Sequence, residues 1–598
     1  MSANSPDPKS WCSWNVEELS LWLKGQGVTE SVVGILKDEK VEGKHIPHVT
    51  MEMLMVKKIM FKDCLQIQEM FEKLQQKHLK SNQMKIYNDP IHGHIEVNPA
   101  CQAIIDTPIF QRLRFLKQLG MVYYIYPGAA HNRFEHSLGV YHLAGKFVRQ
   151  LQQNHPEHDI TDVDVLCVEI AALCHDLGHG PFSHMFDSIF LKEVNKGQHN
   201  HEKVSVQLID EIDKLVDLTN FGLKSVDISF IKELIGGPLE VSGSQGWPYV
   251  GRDEEKSFLY EIVCNKRNGN DVNTWDYLAR DCHHLGFNNN FDYNRFLMFA
   301  RVIEEDGEVQ ICIRDKEIPN LYNMFYTRYT LHKYAYHHKV NFGLEIMLTD
   351  VLKLADKHMT FTGSDGKELS ISECIEDMKA YIELNDNILF KILHHNVLEE
   401  HPQKRDDLEK AKEIINRMFR RDLYTCVWES PPILSQLRSR KKFLEEEVGA
   451  IISKHYEEKN LKNNDDYVVQ ALFLDFGMKS ENPVERLKVF SKRTPNQARY
   501  FTKAECSNIL RPVTFDEMHV RVYSKTSDHV RRQTVTEACL AWYKVWQETQ
   551  DRQKKHEEEE MVSDIQQLIQ EQFVDRQQDD VIKLAQNIYK KFKPLFKS

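Results

Sequence analysis

The chain has 598 residues, of which 41% are hydrophobic and 28% charged, with 77 Lys and Arg against 89 Asp and Glu. That length allows several domains or one large core with appendages, and the composition excludes disordered and collagen-like classes. A formal net charge of −12 argues against a protein that coats nucleic acid by bulk charge, although local basic pockets stay open.

The first residues, Met1-Ser-Ala-Asn-Ser-Pro6, lack the basic, apolar and small-residue progression of a secretion signal. Residues 11–80 read as a compact helical unit. Trp14, Val16, Leu19, Trp22 and Leu23 open it at helical spacing, Gly25 and Gly27 punctuate it, and Met70, Phe71 and Leu74 close it. Asn88-Asp-Pro-Ile-His-Gly93 then supplies turn chemistry at a boundary. From 85 to 435 the pattern is dominantly helical, with helices expected at Asp106–Leu119, Ser137–Leu151, Val163–Leu177 and Ile375–Leu398 and a strand at Val309–Ile313. The run Val165 to Cys174 is apolar but holds Glu169, and it falls far short of the roughly 20 residues a membrane span needs. A C-terminal lobe over 436–550 reads as mixed helix and strand, with strand candidates at Tyr467–Phe476 and Val520–Tyr523. In 551–598, Glu557–Glu560 come first and Lys590, Lys591, Lys593 and Lys597 last, an order that suits the dipole of a terminal helix. The expected fold is mainly α: a small N-terminal helical bundle, a large all-α core and a smaller mixed α/β lobe. The 12 cysteines form no C-x-x-C pair, so buried thiols in a reducing compartment are expected rather than a cysteine zinc site.

Chemistry concentrates in Cys174-His-Asp-Leu-Gly-His-Gly-Pro-Phe-Ser-His184. An apolar helix ends there and breaks at Gly178, Gly180 and Pro181. Adjacent His175 and Asp176, followed by His179 and His184, put imidazoles and a carboxylate in one place, a donor set suited to divalent Mn, Fe or Zn. By contrast His158-Asp159, in a polar loop, is the chance pair expected among 28 histidines. A second cluster, Ala130-His-Asn-Arg-Phe-Glu-His-Ser-Leu-Gly139, brings His136 to the start of the next helix with Arg133 one turn earlier. No P-loop and no G-x-G-x-x-G feeding a helix is present.

These motifs resemble those of the HD-domain phosphohydrolases, and more narrowly those of the vertebrate SAM-and-HD-domain deoxynucleoside triphosphate triphosphohydrolases. The resemblance runs from about residue 11 to about residue 525. It includes Asp106-Thr-Pro-Ile-Phe-Gln-Arg-Leu-Arg114, Lys256-Ser-Phe-Leu-Tyr-Glu-Ile262 and Trp275-Asp-Tyr-Leu-Ala-Arg-Asp-Cys-His-His-Leu-Gly286, and an N-terminal unit similar to a sterile alpha motif. It implies one divalent transition metal held by His136, His175, Asp176 and a residue at position 273. The family has Asp at that last position and a phosphate-binding Lys at the next; here they are Asn273 and Thr274. An amide oxygen can bind a hard cation but leaves the site one negative charge short. Asp271 and Asp276 are the nearby carboxylates that could substitute.

The resemblance further implies hydrolysis of a dNTP to deoxynucleoside and triphosphate, with His184 as general acid, Asp187 orienting it, and His179 and His201 supporting phosphate or proton transfer. Arg133 and Arg328 would fork the triphosphate. Tyr277, Asp281 and Tyr336 would meet the sugar, with Gln118 and Leu119 near sugar or base. His337 stands where the family has a sugar-reading Gln. Activation by GTP or dGTP and a dNTP, carried with Mg, would build a homo-tetramer. Lys85, Ile86, Asp106, Gln111, Arg114 and Phe134 match the guanine site. Asn88, Arg295, Arg314, Lys316, Asn320, Lys339 and Lys492 match the adjoining dNTP pocket, and Arg421 is present although Thr425 replaces a Lys. By the same resemblance the protein is nuclear, with the cytoplasm as the alternative, and Arg438-Ser-Arg-Lys-Lys442 reads as a solvated helix face or a nuclear address. Asn273, Thr274 and His337 fall around one pocket, which raises two other readings: a catalytically weakened paralogue that senses nucleotides through assembly, and a protein that binds single-stranded nucleic acid at a basic subunit interface.

Overall fold

The computed structural model describes residues 14–82, 84–197, 200–239, 246–396, 401–433, 441–462, 466–502 and 505–572, with 582, 583 and 586 beyond them. Helices Val16–Gly25, Glu30–Asp38, Met51–Val56 and Phe61–Asn82 form the N-terminal unit. Asn15 starts the first by a reciprocal cap, its side chain accepting the Glu18 N–H while the Glu18 carboxylate accepts its own N–H. Trp14, Leu19, Trp22, Leu23 and Phe71 share a core that belongs to this unit alone. Val16 and Met70 are half-buried, and the Leu74 side chain lies outside the described set.

The large core is built from Arg133–Asn154, Asp162–Cys174, His201–Val216, Ser225–Gly236, Val272–Leu285, Ile318–Leu331, Lys339–Ala355 and Pro402–Phe419. Helix Asp162–Cys174 is apolar almost all round because neighbouring helices cover it; Arg133–Asn154 and Ser225–Gly236 are its main partners. Its two buried carboxylates are both paired, Glu169 with Arg149 at 2.5 Å and Asn98 at 2.9 Å, and Asp164 with Arg252 and Lys256 at 2.6 Å each, which removes the cost of burying a lone carboxylate. The helix and core expectations at Ser137–Leu151 and Val163–Leu177 agree with these elements to within a turn.

Two expected helices are broken. Asp106–Leu119 is instead a short helix at Pro108–Gln111 and a 3₁₀ turn at Arg112–Phe115, after which Leu116 is extended. The cause is Arg112. Its guanidinium turns inward and donates to the carbonyls of Leu384 (2.7 Å), Leu177 (3.2 Å) and His179 (2.8 Å), so the chain bends to serve the neighbouring turn. Ile375–Leu398 is divided into Glu373–Glu376, Met378–Tyr381 and Ile388–His394; extended Asp377 caps the second piece by accepting from the N–H groups of Lys379 and Ala380. Residues 397 and 398 lie outside the described set.

The strand expected at Val309–Ile313 is Glu308–Arg314, antiparallel to Ala300–Glu305 and parallel to Lys488–Phe490. In the C-terminal lobe, Asp516–Ser524 is the central strand between Thr425–Glu429 and Tyr467–Asp475. Helices Lys441–Glu458 and His529–Gln572 cover that sheet, burying Val448, Ile452, Val535 and Trp542 against Val520 and Val522. The chain therefore passes between core and lobe more than once: 425–429 joins the lobe sheet, and 488–490 returns to the core sheet. Of the basic run at 438–442, residues 438–440 lie outside the described set, as do Lys590, Lys591, Lys593 and Lys597. Cys167 and Cys174 are buried free thiols, which burial pushes up from their ordinary range. Among the described residues no helix is long and apolar enough to cross a membrane.

Candidate active site

His136 lies in the first turn of Arg133–Asn154, and His175 and Asp176 leave the C-terminal end of the helix packed against it. The turn after Asp176 is held tightly to the start of His201–Val216. A Cβ on Gly178 would stand 2.1 Å from the His201 carbonyl oxygen, so glycine is required by close approach of backbone. Ser205 links the two segments, donating to the His175 carbonyl (2.8 Å) and accepting from the Gly178 N–H (2.9 Å). Phe182 and Ser183, at φ 56° and 61°, carry left-handed backbone without being glycine, local strain of the kind found at functional turns.

The ring orientations are fixed from behind. His136 Nδ1–H donates to Asp276 Oδ2 at 2.7 Å, and His175 Nδ1–H donates to the Ala172 carbonyl at 2.8 Å. Each imidazole thus presents an unprotonated Nε2 to the same space. His136 Nε2 lies 3.1 Å from Asn273 Oδ1 and 3.6 Å from Asp176 Oδ2; His175 Nε2 lies 3.3 Å from Asp176 Oδ1 and has no hydrogen-bond partner. A buried imidazole nitrogen left without a partner, in a cluster where His136, His175 and Asp176 bring their ligand atoms within 4.8 Å of one another, fits a divalent cation, and the Asn273 amide oxygen lies beside that cluster. Burial lowers the proton affinity of His175. Burial would raise Asp176, but His175, Arg133 and His179 around it hold it well below the usual carboxylate range.

Neither alternative carboxylate takes the place of Asn273. Asp271 caps Val272–Leu285, accepting from the N–H groups of Thr274 and Asn265 at 2.8 Å each. Asp276 stands behind His136, not in front of it. Thr274 turns away, its hydroxyl 3.3 Å from the Gly269 carbonyl, so position 274 brings no cation to the pocket.

Beside this cluster His179, His184 and His201 form a second group of imidazoles. His179 and His201 stack at 3.8 Å between centroids, and Asp187 Oδ2 faces His201 Nδ1 at 3.3 Å and His179 Nδ1 at 3.6 Å. The carboxylate expected to orient His184 therefore faces the other two rings. His184 keeps an exposed side chain although many protein atoms surround it; burial, with Arg133 and His201 nearby, pushes its proton affinity down to about 4. Arg133 is buried and bonded to Asp176 and, at 2.9 Å, to Ser183.

The residues expected to meet sugar and base are held by local partners. Tyr336 donates to Asp281 Oδ2, and His131 donates to Asp281 Oδ1 at 2.7 Å. Gln118 Oε1 is buried without a partner, Leu119 and Tyr277 are half-buried, and Arg328 holds the Asp475 carbonyl at 2.8 Å. His337 lies 3.4 Å from His332. The residues matched to a guanine site form one chain of contacts: Asp106 accepts from Gln102, Gln102 accepts from the Tyr87 hydroxyl at 3.1 Å, Lys85 sits over Tyr87, Tyr87 meets Phe134, Arg114 covers the Phe134 ring at 3.5 Å, and Gln111 accepts from Arg114. Ile86 and Asn88 are exposed on the same strand. The residues matched to the adjoining pocket are placed by local pairs: Arg295 with Glu317, Lys316 over Phe299, Asn320 with Asp292, Arg314 with Asp315, and Lys339 with Glu429. Arg421 reaches the Tyr124 carbonyl, and Lys492 is exposed.

Sequence reasoning overlooked Arg112, His131 and His92, and it weighed Asp276 only as a metal ligand. Arg112 lay in a quoted motif; His92 was read as turn chemistry. A third group, His155, Glu157 and His158, is no metal site: His155 Nε2 accepts the Val302 N–H and Nδ1–H donates to Glu157, so both nitrogens are engaged.

A histidine from one helix and a His-Asp pair from the next converge on a site that fits a divalent metal, the arrangement of an HD-domain protein, and the HD domain family matches residues 133–236. More narrowly, the chain belongs to the family of the deoxynucleoside triphosphate triphosphohydrolase SAMHD1. It is 46% identical over 470 residues to that protein of Gallus gallus, covering 77% of this chain and 75% of the relative. It is 42% identical over 556 residues to that of Homo sapiens, covering 90% and 85%. A homologue from Dictyostelium discoideum is 36% identical over 447 residues, covering 74% and 78%.

Proposed function

We propose that the chain is a dNTP triphosphohydrolase that cleaves at the α-phosphorus to release deoxynucleoside and intact triphosphate. The observation that carries this reading is the convergence of two oriented imidazole nitrogens, one carboxylate and one amide oxygen beside a buried arginine. His136, His175, Asp176 and Asn273 would hold a divalent cation, which when bound would supply charge to polarise a phosphoryl oxygen and acidify water. Arg133 sets a fixed positive charge where the polyphosphate enters. His184 donates the proton to the departing 5′-oxygen. Its low proton affinity in the free enzyme comes from burial and from the Arg133 charge; a polyanion arriving between them opposes the second cause, so substrate binding itself loads the acid. His179, His201 and Asp187 form the proton path behind it. Gln118, with its unpartnered oxygen, and the Tyr336–Asp281 pair give the sugar and base polar partners that a nucleotide completes.

Activation by GTP or dGTP and a dNTP through tetramer formation belongs to the same proposal. The contacts that run from Lys85 and Tyr87 to Asp106 by way of Gln102 and to Arg114 by way of Phe134, and the placement of Arg295, Lys316 and Asn320, support it. Nuclear residence rests on resemblance. The test is incubation of the metal-loaded protein with GTP, Mg and each dNTP, with products separated by ion-exchange chromatography. Deoxynucleoside and triphosphate in equal amounts are expected. Phosphate or pyrophosphate as the coproduct would overturn cleavage of the bond between the 5′-oxygen and the α-phosphorus. Metal-loaded protein that assembles with nucleotide but releases nothing would favour the second reading, a nucleotide-sensing oligomer, which the amide at 273 and the averted Thr274 support.

A further inference from the structure

Asp276 is wholly buried, and four donors of three side chains meet its two oxygens. His136 Nδ1 lies at 2.7 Å, His92 Nε2 at 2.6 Å, Arg280 Nε at 2.9 Å and Arg280 Nη2 at 3.0 Å. The site exists only because position 139 is glycine. A Cβ there would stand 1.9 Å from Asp276 Oδ1 and 2.4 Å from Arg280 Nη2, so the two helices approach over a bare backbone.

The network leaves the metal cluster in two directions. Arg280 Nη1 donates to Asp89 Oδ2 at 2.8 Å, and Asp89 Oδ1 accepts the N–H groups of Ile91 and His92, closing the turn that ends strand Lys85–Asp89. His92, having donated from Nε2, accepts at Nδ1 from the Tyr293 hydroxyl at 3.2 Å. Tyr293 begins helix Tyr293–Phe299, which carries Arg295; Asp292, capping that helix, is bonded in both directions to Asn320. Lys85 and Asn88 on one arm, and Arg295 and Asn320 on the other, are residues matched above to activator binding. Within the buried network two carboxylates face one guanidinium, and the uncompensated negative charge is delivered through the His136 imidazole toward the cation.

We infer that Asp276 and His92 are positioning residues that couple the grip of His136 on the metal to occupancy of the activator pocket. They touch neither substrate nor metal. A shift of strand Lys85–Asp89 or helix Tyr293–Phe299 moves a partner of Asp276, and Asp276 sets the orientation and basicity of His136. Linkage makes the effect reciprocal: a loaded metal site tightens activator binding by the factor that activator tightens metal binding. The inference rests on the metal and activator sites proposed above.

The test measures binding rather than turnover. Nucleotide-driven assembly of the full chain is followed by sedimentation velocity against GTP plus a non-hydrolysable dNTP, once with manganese loaded and once after chelation. Manganese affinity is measured in parallel without nucleotide. Wild-type protein is expected to need about fivefold less nucleotide when metal is loaded, a coupling within the usual allosteric range. Asp276→Asn is expected to weaken manganese binding about tenfold or more. Tyr293→Phe, which removes one hydroxyl and keeps the ring, is expected to lose the difference between loaded and stripped protein while retaining its metal affinity and melting temperature. Equal nucleotide requirement with and without metal in the wild type would overturn the coupling and leave both sites standing. Coupling unchanged in Tyr293→Phe would overturn the assigned route. Absence of metal binding or of nucleotide-driven assembly would remove the sites themselves, and the coupling with them.

Discussion

At position 273 one atom changes the site. The amide oxygen of Asn273 lies where a carboxylate would complete the charge of the donor set, 3.1 Å from His136 Nε2. Restoring that charge by Asn273→Asp is expected to slow loss of the metal to a chelator by about tenfold or more, since ligand charge sets affinity for hard cations; metal analysis over time checks it. At the acid, His184→Ala is expected to lower kcat by about 10²–10⁴-fold with metal content unchanged, the range for removing a general acid. Loss of metal in that variant would mean that the second imidazole cluster holds the first together. The motif residues around the candidate metal site were legible as residue types because His175 and Asp176 end an apolar helix and are followed at once by His179 and His184. Their partners were not: His92 and Asp276 read as turn and helix residues until 184 positions of chain were folded back between them.

Elements show the same division. Helices with long apolar periodicity were found where expected, because burial of a continuous stripe dominates their formation. Asp106–Leu119 failed because its Arg112 is held by carbonyls from residues 177, 179 and 384, and no local pattern encodes a partner that distant. Helix approach gives one prediction. Gly139→Ala is expected to destabilise the core by about 1–3 kcal/mol, as overpacking does, and to lower metal content together with it; denaturant unfolding and metal analysis check both. The turn Glu254–Glu261 gives another. Glu261 is buried, with Arg267 Nε 3.6 Å from it and the Ile311 N–H at 3.4 Å, and burial, with Glu308 nearby, pushes its carboxyl up to about 8. Folded protein keeps that proton where unfolded chain has lost it, so stability falls as pH rises from the ordinary carboxylate range toward 8. Glu261→Gln is expected to add about 1–3 kcal/mol at pH 8 and little at pH 4.5; a variant that melts as the wild type does at pH 8 would show the group ionised when folded.

For the whole molecule, separate hydrophobic cores bear directly on how it unfolds. Trp14, Trp22 and Phe71 belong to one cluster, while the core around the metal site and the lobe core around Trp542 are others. Calorimetry is expected to resolve the N-terminal unit as its own transition, which Trp22→Ala lowers without moving the transition of the metal-bearing core, at a cost of about 3–5 kcal/mol to the unit. A single cooperative transition shifted as a whole would show that the units fold together.

Residue chemistry and local periodicity were enough to mark the helical class, the lobe strands and the metal-ligating motif, because each depends on neighbours within a few turns of chain. They could not say that Asp276 stands behind His136, that Arg112 turns inward to three carbonyls, or that His131 meets Asp281. Those facts depend on which side chains meet after distant segments pack, where burial and geometry assign every polar group its partner, and spacing along the chain carries no record of that assignment.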